Sequence, residues 1–441
     1  MEDGMKSMLR PTPTRMGWLT MLAFAGLALA QVRDGGALEP LDQAGDGRAA
    51  PSVDELAKAA LEQAPTISAL RSRLKAANER ITAADAFPDP TLEVVLQEVG
   101  VYRFDPASNF LVEYRQELPY PGKRQTRRQS AAAESTMRET ELEDLRRRIV
   151  QQVKMLYAQV YALDNERRAL KSAGELLELL SSAVSARYRA GQADQEALLK
   201  IQIEGARIGE RLTDVESERA AWTAALNRLL DAPDESELGT IADLPDTRPP
   251  EGPLAELARK NSADIVMKQA YLRWTESRVE EARLDQKPDF MLGGGAGMDA
   301  MPQPMVMLRF GIQLPVWSGS KQEPLARSAS HEREAARQDL RDAEAMARAE
   351  AVRLQTQWKR DEKLILQYKD TIIPQSLAAL EAARADYLSG RGDFSTVVED
   401  FSKWLEATTQ LARREAGRFT TWADIERLAV PMAEREKEVG P

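Results

Sequence analysis

The chain has 441 residues, with 70 acidic and 60 basic side chains, a formal net charge of −10 and only 6% aromatics. It has no cysteine and one histidine, which excludes a disulfide framework, a thiolate nucleophile, a Cys-based zinc site and a lipid anchor on an N-terminal Cys. The two charge signs interleave without the basic excess that nucleic acid favours, and the Ala, Leu, Glu, Arg and Gln content favours long helices over an α/β enzyme.

Lys6, Arg10 and Arg15 precede an apolar run, Gly17 to Ala30, that ends in the A-x-A pattern Ala28-Leu29-Ala30. Residues 1–30 therefore read as a secretory signal peptide, its apolar run too short to span a bilayer comfortably as a helix. Residues 31–50 read as a flexible N-terminal segment. No later stretch approaches the length of apolar sequence a membrane helix needs, so a membrane-inserted part has to be built from strands.

The rest of the chain is two copies of one unit. Phe87-Pro88-Asp89 returns as Lys287-Pro288-Asp289, Gln116-Glu-Leu-Pro119 as Gly311-Ile-Gln-Leu-Pro315, and Tyr188-Arg-Ala-Gly191 as Tyr387-Leu-Ser-Gly390. The offsets are 200, 196 and 199 residues (Pro88 to Pro288, Leu118 to Leu314, Tyr188 to Tyr387). Repeat 1 is predicted over residues 51–230 and repeat 2 over residues 253–430. A Pro- and Asp-rich linker, 231–252, lies between them, and a tail, 431–441, follows.

Each repeat opens with a helix, predicted from Ser52 to about Ala86 and from Pro253 to about Gln286; Ser52-Val-Asp-Glu55 is a capping box. A β-hairpin follows, about 91–118 and about 289–314. Phe110, Val112, Tyr114 and Leu118 alternate with Glu113, Arg115 and Glu117, and Val306, Leu308, Phe310, Ile312 and Leu314 alternate with Met307, Arg309, Gly311 and Gln313. Apolar-out, polar-in alternation over about ten residues is the signature of a membrane barrel strand. Two soluble hairpins capping a coiled coil would alternate in the same way.

A long helix comes next, about 125–189 and about 322–388, then a turn with Gly and a second helix, about 194–230 and about 393–430. Leu142, Ile149, Leu156, Leu163, Leu170, Leu177 and Val184 recur every seven residues, with mostly polar residues three positions on. This predicts a narrow coiled-coil seam on a rod of about 100 Å. Pro374 predicts a kink in the second long helix, and Gly174 a matching weak point in the first.

Four strands cannot close a barrel, and lipid does not tolerate open edges, so sister chains must share it; three chains would supply twelve strands and room for a pore. The fold class is mainly α with a small β part, a duplicated helix–hairpin–long helix–helix unit.

These motifs, together with Leu118-Pro-Tyr-Pro-Gly-Lys123 and Leu314-Pro-Val-Trp-Ser-Gly319, resemble the TolC-type outer membrane factor family over essentially the whole mature chain. The resemblance implies a homotrimer with a 12-stranded outer-membrane barrel above an α-helical periplasmic tunnel. It implies docking on a periplasmic adaptor protein that links to an inner-membrane efflux pump of the RND type. No cofactor and no catalysis are implied. The adaptor would meet the turns at Tyr188, Gly191, Gln192, Tyr387, Gly390 and Arg391.

Acidic residues after those turns gate the family's channels and select for cations. Here Glu399 occupies one such position; Thr396 and Ala197 stand where carboxylates are expected, leaving Asp400, Glu196 and Asp194 as substitutes. Tyr120-Pro-Gly-Lys123 resembles the metal-exporting branch. No metal site is assigned; Met298, Met301, Met305 and Met307 are candidate thioether contacts for Cu(I), with ordinary packing as the competing reading. The rival to a duct is a secreted periplasmic coiled-coil scaffold without a pore. An enzyme finds no support in the lone His331 or in any phosphate-loop or zinc-helix motif.

Overall fold

The computed structural model describes residues 49–96, 110–191, 194–298 and 303–430. Helices α1 (Val53–Gln63) and α2 (Pro65–Ala84) lead into strands β1 (Thr91–Leu96) and β2 (Phe110–Leu118), then helices α3 (Lys123–Arg189) and α4 (Gln195–Leu229). The same order follows as α5 (Leu254–Asn261), α6 (Ala263–Leu284), β3 (Asp289–Met298), β4 (Pro304–Gln313), α7 (Gln322–Gln367), α8 (Ile373–Leu388) and α9 (Phe394–Ala429). Among the described residues no helix is long and apolar enough to cross a membrane. The predicted signal peptide and tail, with Gln192 and Met301, lie outside the described residues.

Ser52 caps α1 as its motif predicts. Its hydroxyl accepts from the Glu55 amide at 3.3 Å, and the Glu55 carboxylate accepts from the Ser52 amide at 2.8 Å. The single opening helix expected in each repeat is, however, two. Ala64 (φ −56°, ψ 119°) and Ser262 (φ −58°, ψ 122°) leave the helical region with nearly the same geometry. In repeat 1 the cause is Pro65, which forces the residue before it out of the helical basin. Repeat 2 has no proline there. Its break is held from outside: Arg147 donates to the Asn261 carbonyl at 2.7 Å, and the Asn261 amide donates to Ala429 O at 2.6 Å.

α3 runs for 67 residues, about 100 Å, without interruption. Gly174 does not interrupt it; a Cβ there would make only an ordinary contact, 4.0 Å from Ile208 of α4, so the packing does not require glycine at this position. Pro374 does interrupt the regular helix, just beyond a change of helical pitch. A five-residue π-helical turn, Tyr368–Ile372, separates α7 from α8 and re-spaces the carbonyls ahead of the proline ring.

The narrow seam expected on α3 is also too narrow. Leu142, Ile149, Leu163, Leu170, Leu177 and Val184 are buried, but so are Val153, Tyr157, Val160, Tyr161, Leu176 and Leu180. α3 packs against α1, α2, α4, α6 and α9 rather than one partner, so it buries more than one stripe. It even buries charge. Asp164 is fully buried and takes Arg219 at 2.7 Å and the Ile241 amide at 2.9 Å, which pins the linker between the repeats against α3. Glu166, a polar seam position in the sequence, sits between Arg211 at 2.7 Å and Arg413 at 2.8 Å.

The four strands form one antiparallel sheet in the order β1-β2-β3-β4. The repeats join where β2 pairs with β3, from Phe110↔Met298 to Leu118↔Phe290. β1 and β4 are edges.

Candidate functional site

The sheet has two chemically distinct faces. In register across it run Leu92, Tyr114, Gly294 and Leu308, and beside them Val94, Val112, Ala296 and Val306. This face is apolar and uncovered: Leu308 is 87% exposed, Val306 80% and Phe310 69%. An uncovered apolar surface on this scale needs a partner or an apolar solvent.

The opposite face carries Thr91, Arg115, Gly293 and Arg309, then Glu93, Glu113, Gly295 and Met307. Arg309 Nη1 lies 3.0 Å from Glu113 Oε1, and Arg115 Nη2 lies 3.2 Å from Glu93 Oε2 and 3.6 Å from Glu113 Oε1. Glu113 is only 3% exposed beneath these guanidinium groups. Gly293 makes the approach possible, since a Cβ there would lie 3.0 Å from Tyr114 O and 3.7 Å from Glu113 Oε1.

The methionines are not gathered. Met298 alternates onto the apolar face, whereas Met305 and Met307 point to the polar one. Among the described residues no group of three or more His, Cys, Asp or Glu could hold a metal ion.

At the far end of α3 the chain reverses through Gly191 (φ +70°), and after α8 through Gly390 (φ +77°), both in the left-handed region that glycine enters without strain. The two turns are sequence counterparts but not structural equals. Tyr188 is exposed, while Tyr387 is buried with its ring 5.1 Å from Phe394, and burial pushes its hydroxyl pKa up. Arg187 ties the turns together. Its Nη1 donates to Tyr387 O and to Leu388 O, each at 2.7 Å, and its guanidinium lies 4.9 Å from the Tyr387 ring. Arg391 instead turns back on its own loop, with Nη2 3.2 Å from Asp386 Oδ1.

Asp194 and Glu196 stand at the start of α4, whereas Glu399 and Asp400 lie in the second turn of α9. Asp194 occupies the N-cap of α4 and makes no side-chain capping bond; Asp393, the matching residue of α9, accepts from the Ser395 amide at 3.2 Å. The others have lysine partners that sequence reasoning passed over. Glu196 Oε1 lies 2.6 Å from Lys200 Nζ, which also donates to Ser395 Oγ of α9 at 2.6 Å. Glu399 Oε1 lies 2.8 Å from Lys403 Nζ, and Asp400 Oδ1 3.4 Å from the same nitrogen. The hydrogen bond from Lys403 holds the Glu399 carboxyl below its ordinary pKa and lifts Lys403, and Glu196 likewise lifts Lys200. The four-residue spacing of both pairs was the available signal.

The architecture is the TolC-type outer-membrane channel fold: long paired helices carrying a small antiparallel sheet. Among solved structures it is similar to the outer-membrane channel OprN, with a TM-score of 0.76 and 18% identity over 86% of this chain and 89% of that one. It is similar to the outer membrane protein VceC of Vibrio cholerae, with a TM-score of 0.73 and 17% identity over 86% and 96% of the two chains. The Campylobacter jejuni CmeC outer membrane channel gives a TM-score of 0.72 and 14% identity over 94% and 97%. No protein-family model matches the sequence, and no curated protein matches it.

Proposed function

We propose that this chain is one protomer of a homotrimeric outer-membrane duct, the exit component of a tripartite efflux system. Three copies of the four-stranded sheet supply twelve strands, enough for a lipid-embedded barrel with an open lumen. The helices then form a periplasmic tunnel, and the turns around Tyr188–Gly191 and Tyr387–Arg391 meet a periplasmic adaptor that links the duct to an inner-membrane pump of the RND type.

The observation that carries this reading is the apolar face from Leu92 to Ile312 on a sheet whose two edges are unpaired. In water, that combination invites aggregation; in lipid, closure by sister copies removes the edges and the face finds its solvent. The polar face with Glu93, Glu113, Arg115 and Arg309 then borders the aqueous lumen. Heavy-metal cargo rests on the resemblance of the Tyr120-Pro-Gly-Lys123 segment alone, in which Lys123 joins helix to sheet, and cargo choice falls to the pump.

Fractionation of cells expressing the full chain tests the proposal. The expected outcome is recovery in the outer-membrane fraction, with an assembled species that changes gel mobility on heating. Release of the chain as a soluble monomer on osmotic shock would establish the pore-free scaffold instead.

A further inference from the structure

The exposed strips of α4 and α9 differ in kind just beyond the turns. On α4, Leu199 and Ile203 are half exposed among exposed Glu196, Gln202 and Arg207, an apolar pair that calls for protein cover. On α9, Thr396, Glu399, Lys403, Glu406 and Arg413 are exposed, while Val397, Phe401, Trp404 and Leu405 are buried. That strip is polar throughout and suits permanent contact with water. Within the duct proposed above, on which this inference rests, α9 is therefore the helix that lines the passage near its end.

On that strip one cation serves two carboxylates. Lys403 Nζ is 2.8 Å from Glu399 and 3.4 Å from Asp400. We propose that Lys403 is a selectivity-setting residue of the passage, holding the trio Glu399–Asp400–Lys403 at one net negative charge per chain. Without it each chain would present two. Like charges from three chains around one axis raise the local cation concentration steeply as their number grows, so the lysine keeps the passage only mildly cation-preferring. A duct that must pass solutes of either sign gains from that restraint. Lys200, bonded to Glu196 and to Ser395 across the helix pair, supplies a second counter-charge nearer the turns.

Reversal potentials of the purified full chain in planar bilayers, under a KCl gradient at low ionic strength, test the assignment. Lys403→Gln is expected to raise the potassium-to-chloride permeability ratio about threefold. The double variant Glu399→Gln/Lys403→Gln restores the wild-type net charge and is expected to return the ratio to the wild-type value. A conducting wild-type channel whose ratio is unmoved by Lys403→Gln overturns the assignment alone. A chain that forms no conducting pore overturns the duct reading and this inference with it.

Discussion

Lys123 and Asp289, from different repeats, form an ion pair at the foot of the sheet. Lys123 Nζ, at the first residue of α3, lies 2.9 Å from Oδ2 of Asp289, the first residue of β3. The same ammonium donates to Lys287 O at 2.9 Å, and the other carboxylate oxygen accepts from the Tyr120 amide at 2.7 Å. Lys123 is nearly fully buried, at the unfavourable positive end of the α3 dipole. Its partner is therefore essential. Asp289→Ala leaves a buried ammonium uncompensated and is expected to cost about 3 kcal/mol. Chemical unfolding of the purified protein measures this; an unchanged midpoint would refute the pair as an anchor between the repeats.

The two faces of β4 give a paired test of which side meets lipid. Leu308 and Met307 are neighbours in sequence and point to opposite faces. Leu308→Arg should impair insertion, since a cation on the lipid face costs about 2–4 kcal/mol near mid-bilayer. Met307→Arg places the same charge beside Arg309 on the polar face and should leave assembly largely intact. The yield of heat-modifiable species in the outer-membrane fraction reports both. Equal loss in the two variants would count against the sidedness.

Much of this was legible in the sequence because the controlling signals are local. Period-two alternation placed the strands, Ser52 and Glu55 their cap, and the repeated landmarks the duplication. Contacts between distant segments were not legible. Nothing near Ser262 announces a break that Arg147 holds from over a hundred residues away. Glu166 read only as a polar position beside the seam, because its two arginine partners lie on other helices. The lysines near the turns are legible at four-residue spacing from Glu196 and Glu399, whereas the reach of Lys200 to Ser395 on another helix is not. Tyr188 and Tyr387 match as motifs yet differ in burial, because Arg187 in repeat 1 is replaced by Asp386 in repeat 2 and only the arginine reaches across.

That reach makes Arg187 a clasp between the two turns. Its Nη1 holds two carbonyls of the neighbouring turn, and hydrogen bonds from a charged donor are worth about 1.5–3 kcal/mol each. Arg187→Ala should free the α8–α9 turn from the end of α3. In bilayer recordings the variant is expected to dwell longer in its highest-conductance level than the wild type, with Arg187→Lys intermediate because an ammonium reaches the carbonyls without the planar fork. Indistinguishable dwell times for the three proteins would mean that the clasp shapes the turn without restraining passage.

Asp424 on α9 offers a prediction in pH. It faces a small cleft bordered by Gln151, Ser262, Asp264, Glu350 and Arg427, and accepts from Gln151 Nε2 at 2.5 Å. Burial raises its pKa above the ordinary 3.8, against the opposing pull of Gln151 and of the arginines at 353 and 427. The folded protein thus prefers the neutral carboxyl. Below the ordinary value both folded and unfolded chains carry the proton, and the site imposes no penalty. As pH rises the unfolded chain ionises first, so stability is lost until the folded group also ionises, and the loss is then constant. Asp424→Asn mimics the neutral form and keeps an acceptor for Gln151. Relative to wild type it should be stabilising at about pH 7 and near neutral in effect at about pH 3.5. Denaturation midpoints of both proteins at the two pH values decide the matter, and a variant less stable at neutral pH would show that the carboxylate is favoured in the fold.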